Sequence, residues 1–434
     1  MKKTSLLTFL FLIFLSYSTI GQDTNNDSSV LMLSLEEAKE YALEHNYSVR
    51  NASLEIKKAE TLKWQTLASL LPQVNAGFDY QNLCGYEMNF GAMSFPLNPS
   101  GSFSVTAALG LSGQQIMGTF IQNLAVEMSK INSEKNNQTV IANVAKTYYS
   151  ALVMEQTIDL LNQSYDNLKH LYEITENSVK VGVAEQTDAD KLSVQVSLLK
   201  NNITNSQRQL EIIYNSLLLQ LGCEVDQKIV LTDKLEDLIN EDEATKLVTS
   251  NFDIERNYDY QLLKQNLMLS DKQTTMSIMN YLPTISAFYQ FSAKTYFGKT
   301  EMMNMTPPNL VGFKISLPIF SSGINYKKIQ ESKLNYKITE NNFNNTKRAL
   351  ILQSNQLKSN VISAFENYQT QQKNIDVSKR VLDNISNKYE YGRASTLDVT
   401  SASNELINAH SNYNQAVLQL INAQIELKQL LNVE

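Results

Sequence analysis

Hydrophobic positions along this chain keep two different periods. In four segments they alternate with polar or small residues. Val74, Ala76, Phe78 and Tyr80 alternate within 73–81, and Phe103, Val105, Ala107, Leu109 and Leu111 within 103–112. Ile285, Ala287, Tyr289, Phe291 and Ala293 form a third set, and Val311, Phe313, Ile315 and Leu317 a fourth; Phe288 and Leu310 break the alternation. A period of two predicts strands with one apolar and one wet face. Elsewhere the apolar spacing steps 4-3-4-3. One such seam is Leu192, Val196, Leu199, Ile203, Ser206, Leu210, Ile213 and Leu217; another is Ala402, Leu406, Ala409, Tyr413, Ala416, Leu420, Ala423 and Leu427. Two further heptad runs precede these, from Ala151 to Val179 and from Val361 to Tyr389. This rhythm predicts long helices packed as coiled coils.

The pattern is written twice. Leu71-Pro72 and Leu282-Pro283 each end a helical stretch and open a strand, 211 positions apart, and Asn46-Tyr47 and Asn257-Tyr258 share that offset. Val181-Gly182-Val183-Ala184 and Tyr391-Gly392-Arg393-Ala394 lie 210 apart, each with an Asp six residues beyond its glycine, Asp188 and Asp398. Around Ile158-Asp159 and Ile375-Asp376 the offset becomes 217, a slip of one heptad that preserves the buried face. Each glycine is therefore expected to turn the chain between two antiparallel helices. Arms of roughly 35–40 residues would span about 50–60 Å at the helical rise.

Composition supports long elements: 434 residues hold only 14 Gly and 7 Pro. The expected organisation is a signal peptide at 1–21, a first repeat at 22–222, a connector at 223–250 and a second repeat at 251–434. The start has Lys2 and Lys3, an apolar run at 6–15 and small residues before Gln22, the layout of a secretory signal. A signal anchor is the alternative, but ten apolar residues fall short of the ~20 a spanning helix needs. Beyond it no apolar run approaches that length, so any membrane crossing must use a closed β-barrel. Ser34-x-x-Glu37 is a capping box opening a short helix at 35–44. The connector at 224–250 is acidic and reads as a small belt.

Charge and chemistry remove other classes. Net charge is −7, and near −9 without the two lysines of the signal, which disfavours nucleic acid. His45, His170 and His410 stand alone, with no metal-ligand spacing, phosphate loop or nucleophile elbow nearby. No enzyme activity, cofactor or metal is expected. Cys84 and Cys223 could pair, but their neighbourhoods are remote and two free thiols are the expectation.

The strands admit two readings, a half-buried sheet in a soluble domain or part of a transmembrane barrel. The signal and the small, polar inner faces favour the barrel. Four strands cannot close around a lumen, and an open edge in lipid is prohibitive. Several copies must combine, and three would give twelve strands.

LSLEEAKEYALEHN at 33–46, the LLPQ strand entry, the VGVA and YGRASTLD turns and the two-fold repeat resemble the TolC family of outer-membrane efflux and secretion channels. The resemblance covers nearly the whole chain after the signal. It implies an α+β membrane protein: helical hairpins forming an α-barrel in the periplasm, continued by a trimeric twelve-stranded β-barrel in outer-membrane lipid. It also implies a periplasmic adaptor and an inner-membrane pump of the RND or ABC type as partners. In the family the tips form a gated entrance. Asp188 and Tyr389 match members of the closing network, and Asp398 matches the first position of a carboxylate ring. The second ring position is Ser401, so a threefold ring would carry three carboxylates rather than six. The basic gate position falls on Ala394, with Arg393 the nearest cation. Val181, Gly182, Val183 and Ala184, with Tyr391, Gly392 and Ala394, match the tip that meets the adaptor. Capping of the helices after the turns is the competing role for Asp188 and Asp398. A periplasmic adaptor or coiled-coil scaffold without a barrel is the alternative function.

Overall fold

A computed structural model describes residues 30–433 apart from 92, 225, 226, 239, 240, 299–303 and 305; the expected signal at 1–21 lies outside the described residues. After a short strand β1 (Leu31–Leu33) come helices α1 (Leu35–His45) and α2 (Tyr47–Ala68), then strands β2 (Gln73–Gln81), β3 (Glu87–Phe90), β4 (Met93–Pro96) and β5 (Ser100–Leu111). The first hairpin is α3 (Gly113–Lys180) and α4 (Gln186–Leu221). The connector holds β6 (Ile229–Leu231), α5 (Leu235–Leu238) and α6 (Glu241–Thr249). The second copy follows as α7 (Tyr258–Ile278), β7 (Thr284–Tyr296), β8 (Asn309–Ser316), α8 (Ile324–Glu390) and α9 (Thr396–Leu431).

The outgoing helices α3 and α8 have 68 and 67 residues, about 100 Å each. The return helices α4 and α9 have 36 residues each. Arms of 35–40 residues were the expectation, and only the return arms match it. Nothing stops the outgoing helices: there is no proline in either and no glycine after Gly118. Their strand-proximal halves pack against α2 and α7, whose starts meet the ends of the return helices α4 and α9. In the lower hairpins the predicted seams are covered. Leu192, Leu199, Ile203 and Leu217 are buried along α4, and Ala402, Ala409, Ala416, Leu420, Ala423 and Leu427 along α9.

The two copies are jointed alike. Asn46 caps α2, its Oδ1 accepting from Ser48 N at 2.7 Å, while its Nδ2 donates to the Gln220 carbonyl at 2.5 Å near the end of α4. Asn257 caps α7 by accepting from Tyr260 N at 3.1 Å and donates to the Leu430 carbonyl at 3.0 Å near the end of α9. One side chain therefore satisfies the start of one helix and the end of another, in both halves.

The main core sits where these joints meet the connector. Strands β1 and β6 pair in parallel there, and α1 and α6 pack over α3, α4, α8 and α9. Tyr148 is fully buried in this belt, its hydroxyl 3.0 Å from both the Leu33 carbonyl and Asp233 Oδ2. Asp233 Oδ2 also accepts from Leu35 N at 2.7 Å. The Ser34–Glu37 capping box forms at the start of α1.

At the other end of the long helices, β2, β5, β7 and β8 form an antiparallel sheet in the order β2-β5-β7-β8. Strand β5 begins at Ser100 rather than 103, because Ser100 to Ser102 continue the pairing with Gln81 to Asp79. Within the loop expected at 82–101, β3 and β4 form a small hairpin turned at Gly91.

Candidate functional site: apolar sheet and hairpin tips

Directly opposed residues in an antiparallel sheet share a face. Val74 faces Ala107, which faces Tyr289, which faces Val311; Phe78 faces Phe103, which faces Ala293. The alternating apolar sets thus merge into one face running across four strands. The other face carries rows such as Asn75–Thr106–Gln290 and Gly77–Ser104–Ser292. The apolar face is uncovered: Phe78 is 72% exposed, Val311 78% and Phe313 67%. Along β7 every apolar-face residue is exposed and every polar-face residue except Thr284 is half-buried, so the wet face is the more sheltered of the two. Strands β2 and β8 bound the sheet, and among the described residues their outer edges are unpaired. Such a face is a liability in water and suited to lipid, where the edges still need partners.

The hairpin tips are two copies of one helix stop. After α3, Gly182 takes φ +80°, Gly182 N–H donates to the Val179 carbonyl at 3.0 Å, and Val183 N–H donates to the Ser178 carbonyl at 2.8 Å. After α8, Gly392 takes φ +64°, its N–H donates to Tyr389 at 2.8 Å, and Arg393 N–H donates to Lys388 at 2.7 Å. These are paired 5→2 and 6→1 bonds closing on a left-handed residue. A Cβ on either glycine would meet nothing within 4 Å, so backbone conformation alone demands glycine there. Val181, Val183 and Tyr391 are exposed at the tips, while Ala184 and Ala394 are half-buried.

The acidic pair after the turns is not equivalent. Asp398 completes a capping box: it accepts from Ser395 N at 2.8 Å and Ser395 Oγ at 2.7 Å, and Ser395 Oγ accepts from Asp398 N at 3.2 Å. The Ser395 backbone and hydroxyl donors hold its carboxyl below the usual range. Asp188 occupies the same helical position, but Glu185 at the N-cap makes no side-chain cap, and Lys191 lies 3.8 Å from Asp188. The Tyr389 hydroxyl lies 2.7 Å from Thr175 Oγ1 and 3.4 Å from Thr396 Oγ1. Within one chain no described hydrogen bond or ion pair joins Asp188 to Tyr389 or Arg393. Arg393 and Ser401 are exposed. Among the described residues, no cluster of His, Cys, Asp and Glu could hold a metal and no helix is long and apolar enough to cross a membrane. Cys84 and Cys223 are both free.

Residues 40–223 and 254–433 match the model of the family described as outer membrane efflux protein. The chain belongs to that family. The outer membrane protein TolC of Salmonella enteritidis is 22% identical over 382 residues, covering 83% of this chain and 74% of that one. TolC of Escherichia coli K12 is 23% identical over 381 residues, covering 81% and 73%. Among solved structures, CusC superposes with a TM-score of 0.75 at 15% identity, covering 93% of this chain and 94% of its own. VceC of Vibrio cholerae gives 0.72 at 13% identity, covering 92% and 96%. The open state of MtrE from Neisseria gonorrhoeae gives 0.73 at 17% identity, covering 92% and 89%. This efflux-family chain accordingly has the α-barrel-plus-β-barrel protomer fold and is an outer-membrane efflux channel protein of a Gram-negative bacterium.

Sequence reasoning missed Thr175 and Thr396, the partners of Tyr389. The signal was present: Thr175 is a polar residue at a heptad position, and it is buried. It missed Tyr148 and Asp233 in the belt, which no periodicity marks.

Proposed function

We propose that three copies of this chain close a twelve-stranded barrel and a helical tunnel, forming the passive outer-membrane conduit of a tripartite efflux or type I secretion system. The supporting observation is the sheet: an uncovered apolar face, a more sheltered wet face, and edges on β2 and β8 that no described strand pairs and a neighbouring copy can close. The two hairpins per chain extend the same threefold wall into the periplasm. Their tips form the entrance, with Gly182 and Gly392 at the rim. Val181, Val183 and Tyr391 offer exposed apolar surface to a periplasmic adaptor that links the conduit to an inner-membrane pump. The entrance is gated. Tyr389 locks the two hairpins of one chain together, and Asp188 and Arg393, unpaired with each other within a chain, act across chain boundaries. Asp398 supplies one carboxylate per chain to a ring at the entrance, with Ser401 one turn further in. Asp398 also caps its own helix, and the two roles are compatible. Selection of cargo falls mainly to pump and adaptor.

Thiol topology tests this reading. Cys84 is exposed in the loop beyond β2, at the end of the sheet away from the helices, whereas Cys223 lies by the belt, where burial pushes its thiol up. A membrane-impermeant maleimide on intact cells is expected to label Cys84 and to lose that signal in Cys84→Ser. Absence of surface labelling, with labelling restored only after outer-membrane rupture, would contradict the orientation.

A further inference from the structure

Among the described residues, the sheet's wet face carries three charges, and they are not evenly placed. Asp79 and Lys294 lie in one row, either side of Ser102, toward the loops. Lys294 Nζ rests 5.0 Å from the Tyr296 ring centroid. Lys314 lies in the row Gly110–Ser286–Lys314, close to the helices. It is exposed, and among the described residues it makes no ion pair. The surrounding chain cannot neutralise it. Segments 64–78, 100–126, 273–293 and 309–326 build the helix-proximal half of the sheet and its junction with the helices, and Lys314 is their single charged residue. On the adjoining row, Phe288 lies across Gly312, where a Cβ would fall 2.2 Å from the Phe288 ring. The residue that broke the alternation thus puts an apolar wall beside an isolated cation on the wet face.

We propose that Lys314 is the anion-favouring element of the channel, a ring of three ammonium groups at the neck between helical tunnel and barrel. This rests on the trimeric conduit argued above. A ring of like charge lining a pore sets which ions pass, and here no fixed carboxylate at the same level offsets it. The ring favours cargo bearing carboxylate, phosphate or sulfate groups over cations. It stands in series with the Asp398 ring at the tips, which has the opposite sign. Screening limits its reach to about 10 Å at 0.1 M salt and about 3 Å at 1 M, so the effect belongs to low ionic strength.

The test is the chloride-to-potassium permeability ratio of purified channels in planar bilayers under a KCl gradient near 0.1 M. Relative to wild type, Lys314→Gln should lower the ratio, Lys314→Glu should lower it further, and Lys314→Arg should keep it. The differences should vanish near 1 M KCl. Threefold particles imaged for each variant guard against misfolding. Conducting channels with the same ratio in all four proteins would overturn the role of Lys314 and leave the conduit standing. Threefold particles of wild type that never conduct would overturn both.

Discussion

The Tyr389 hydroxyl lies 2.7 Å from the hydroxyl of Thr175, joining the second hairpin to the first close to their tips. Thr175 is only 1% exposed, so water does not compete for the bond. Its Oγ1 also donates to the Leu171 carbonyl at 2.9 Å, leaving the Tyr389 proton as the natural donor to Thr175. Tyr389→Phe and Thr175→Val remove the bond while keeping volume, at about 1 kcal/mol each. Each variant is expected to raise single-channel conductance, and the double variant to add little beyond either one. Conductance equal to wild type in both would make this contact passive packing.

The charged tip residues make a separate prediction. If Asp188 and Arg393 close the entrance across chains, Asp188→Ala combined with Arg393→Ala should raise conductance in planar bilayers. Ser401→Asp should increase cation preference by doubling the carboxylates of the Asp398 ring. Reversal potentials that do not move would place Ser401 off the lumen.

The asparagine joints carry a stability prediction with an internal control. Asn257 is buried and Asn46 half-buried, with equivalent bonds in each copy. Asn257→Ala should destabilise by about 1–3 kcal/mol, because it strands the Leu430 carbonyl and the start of α7. Asn46→Ala should cost less, since water can reach the groups it frees. Thermal unfolding of the two variants gives the comparison; equal and negligible shifts would deny the joints a role.

The belt gives a pH dependence. Burial, reinforced by the Asp233 carboxylate, raises the Tyr148 phenol well above its ordinary value. A raised folded pKa means that the folded chain holds the proton more tightly. The associated stability is complete below the unfolded value near 10 and is lost as pH climbs toward the folded value. Tyr148→Phe should therefore be less stable near neutrality, by about 1–3 kcal/mol, and should show a shallower loss on alkalinisation. Parallel alkaline melting curves for the two proteins would refute the assignment.

Most of the architecture was legible because its two periods are long and sustained. The seams of α4 and α9 and the strand at Gln73–Gln81 lie where the spacing places them. The glycine turns were legible because left-handed backbone restricts the residue choice. What failed did so for physical reasons. Helix length in α3 and α8 is set by the absence of a stop signal, and an absence is easily read as an end. The pairing of β1 with β6 joins segments nearly 200 residues apart through three residues each, too short to show a period. The tip contacts depend on which face each helix turns to its neighbour. Thr175 stood in the heptad, but nothing local said that Tyr389 would meet it.

One chain owns too little sheet to seal itself in lipid. The most direct measurement is the mass and shape of the detergent-extracted protein, by light scattering and single-particle imaging. The expected particle has three chains and threefold symmetry, a short barrel continued by a long tube. A stable, folded monomer with no ring in projection would contradict it.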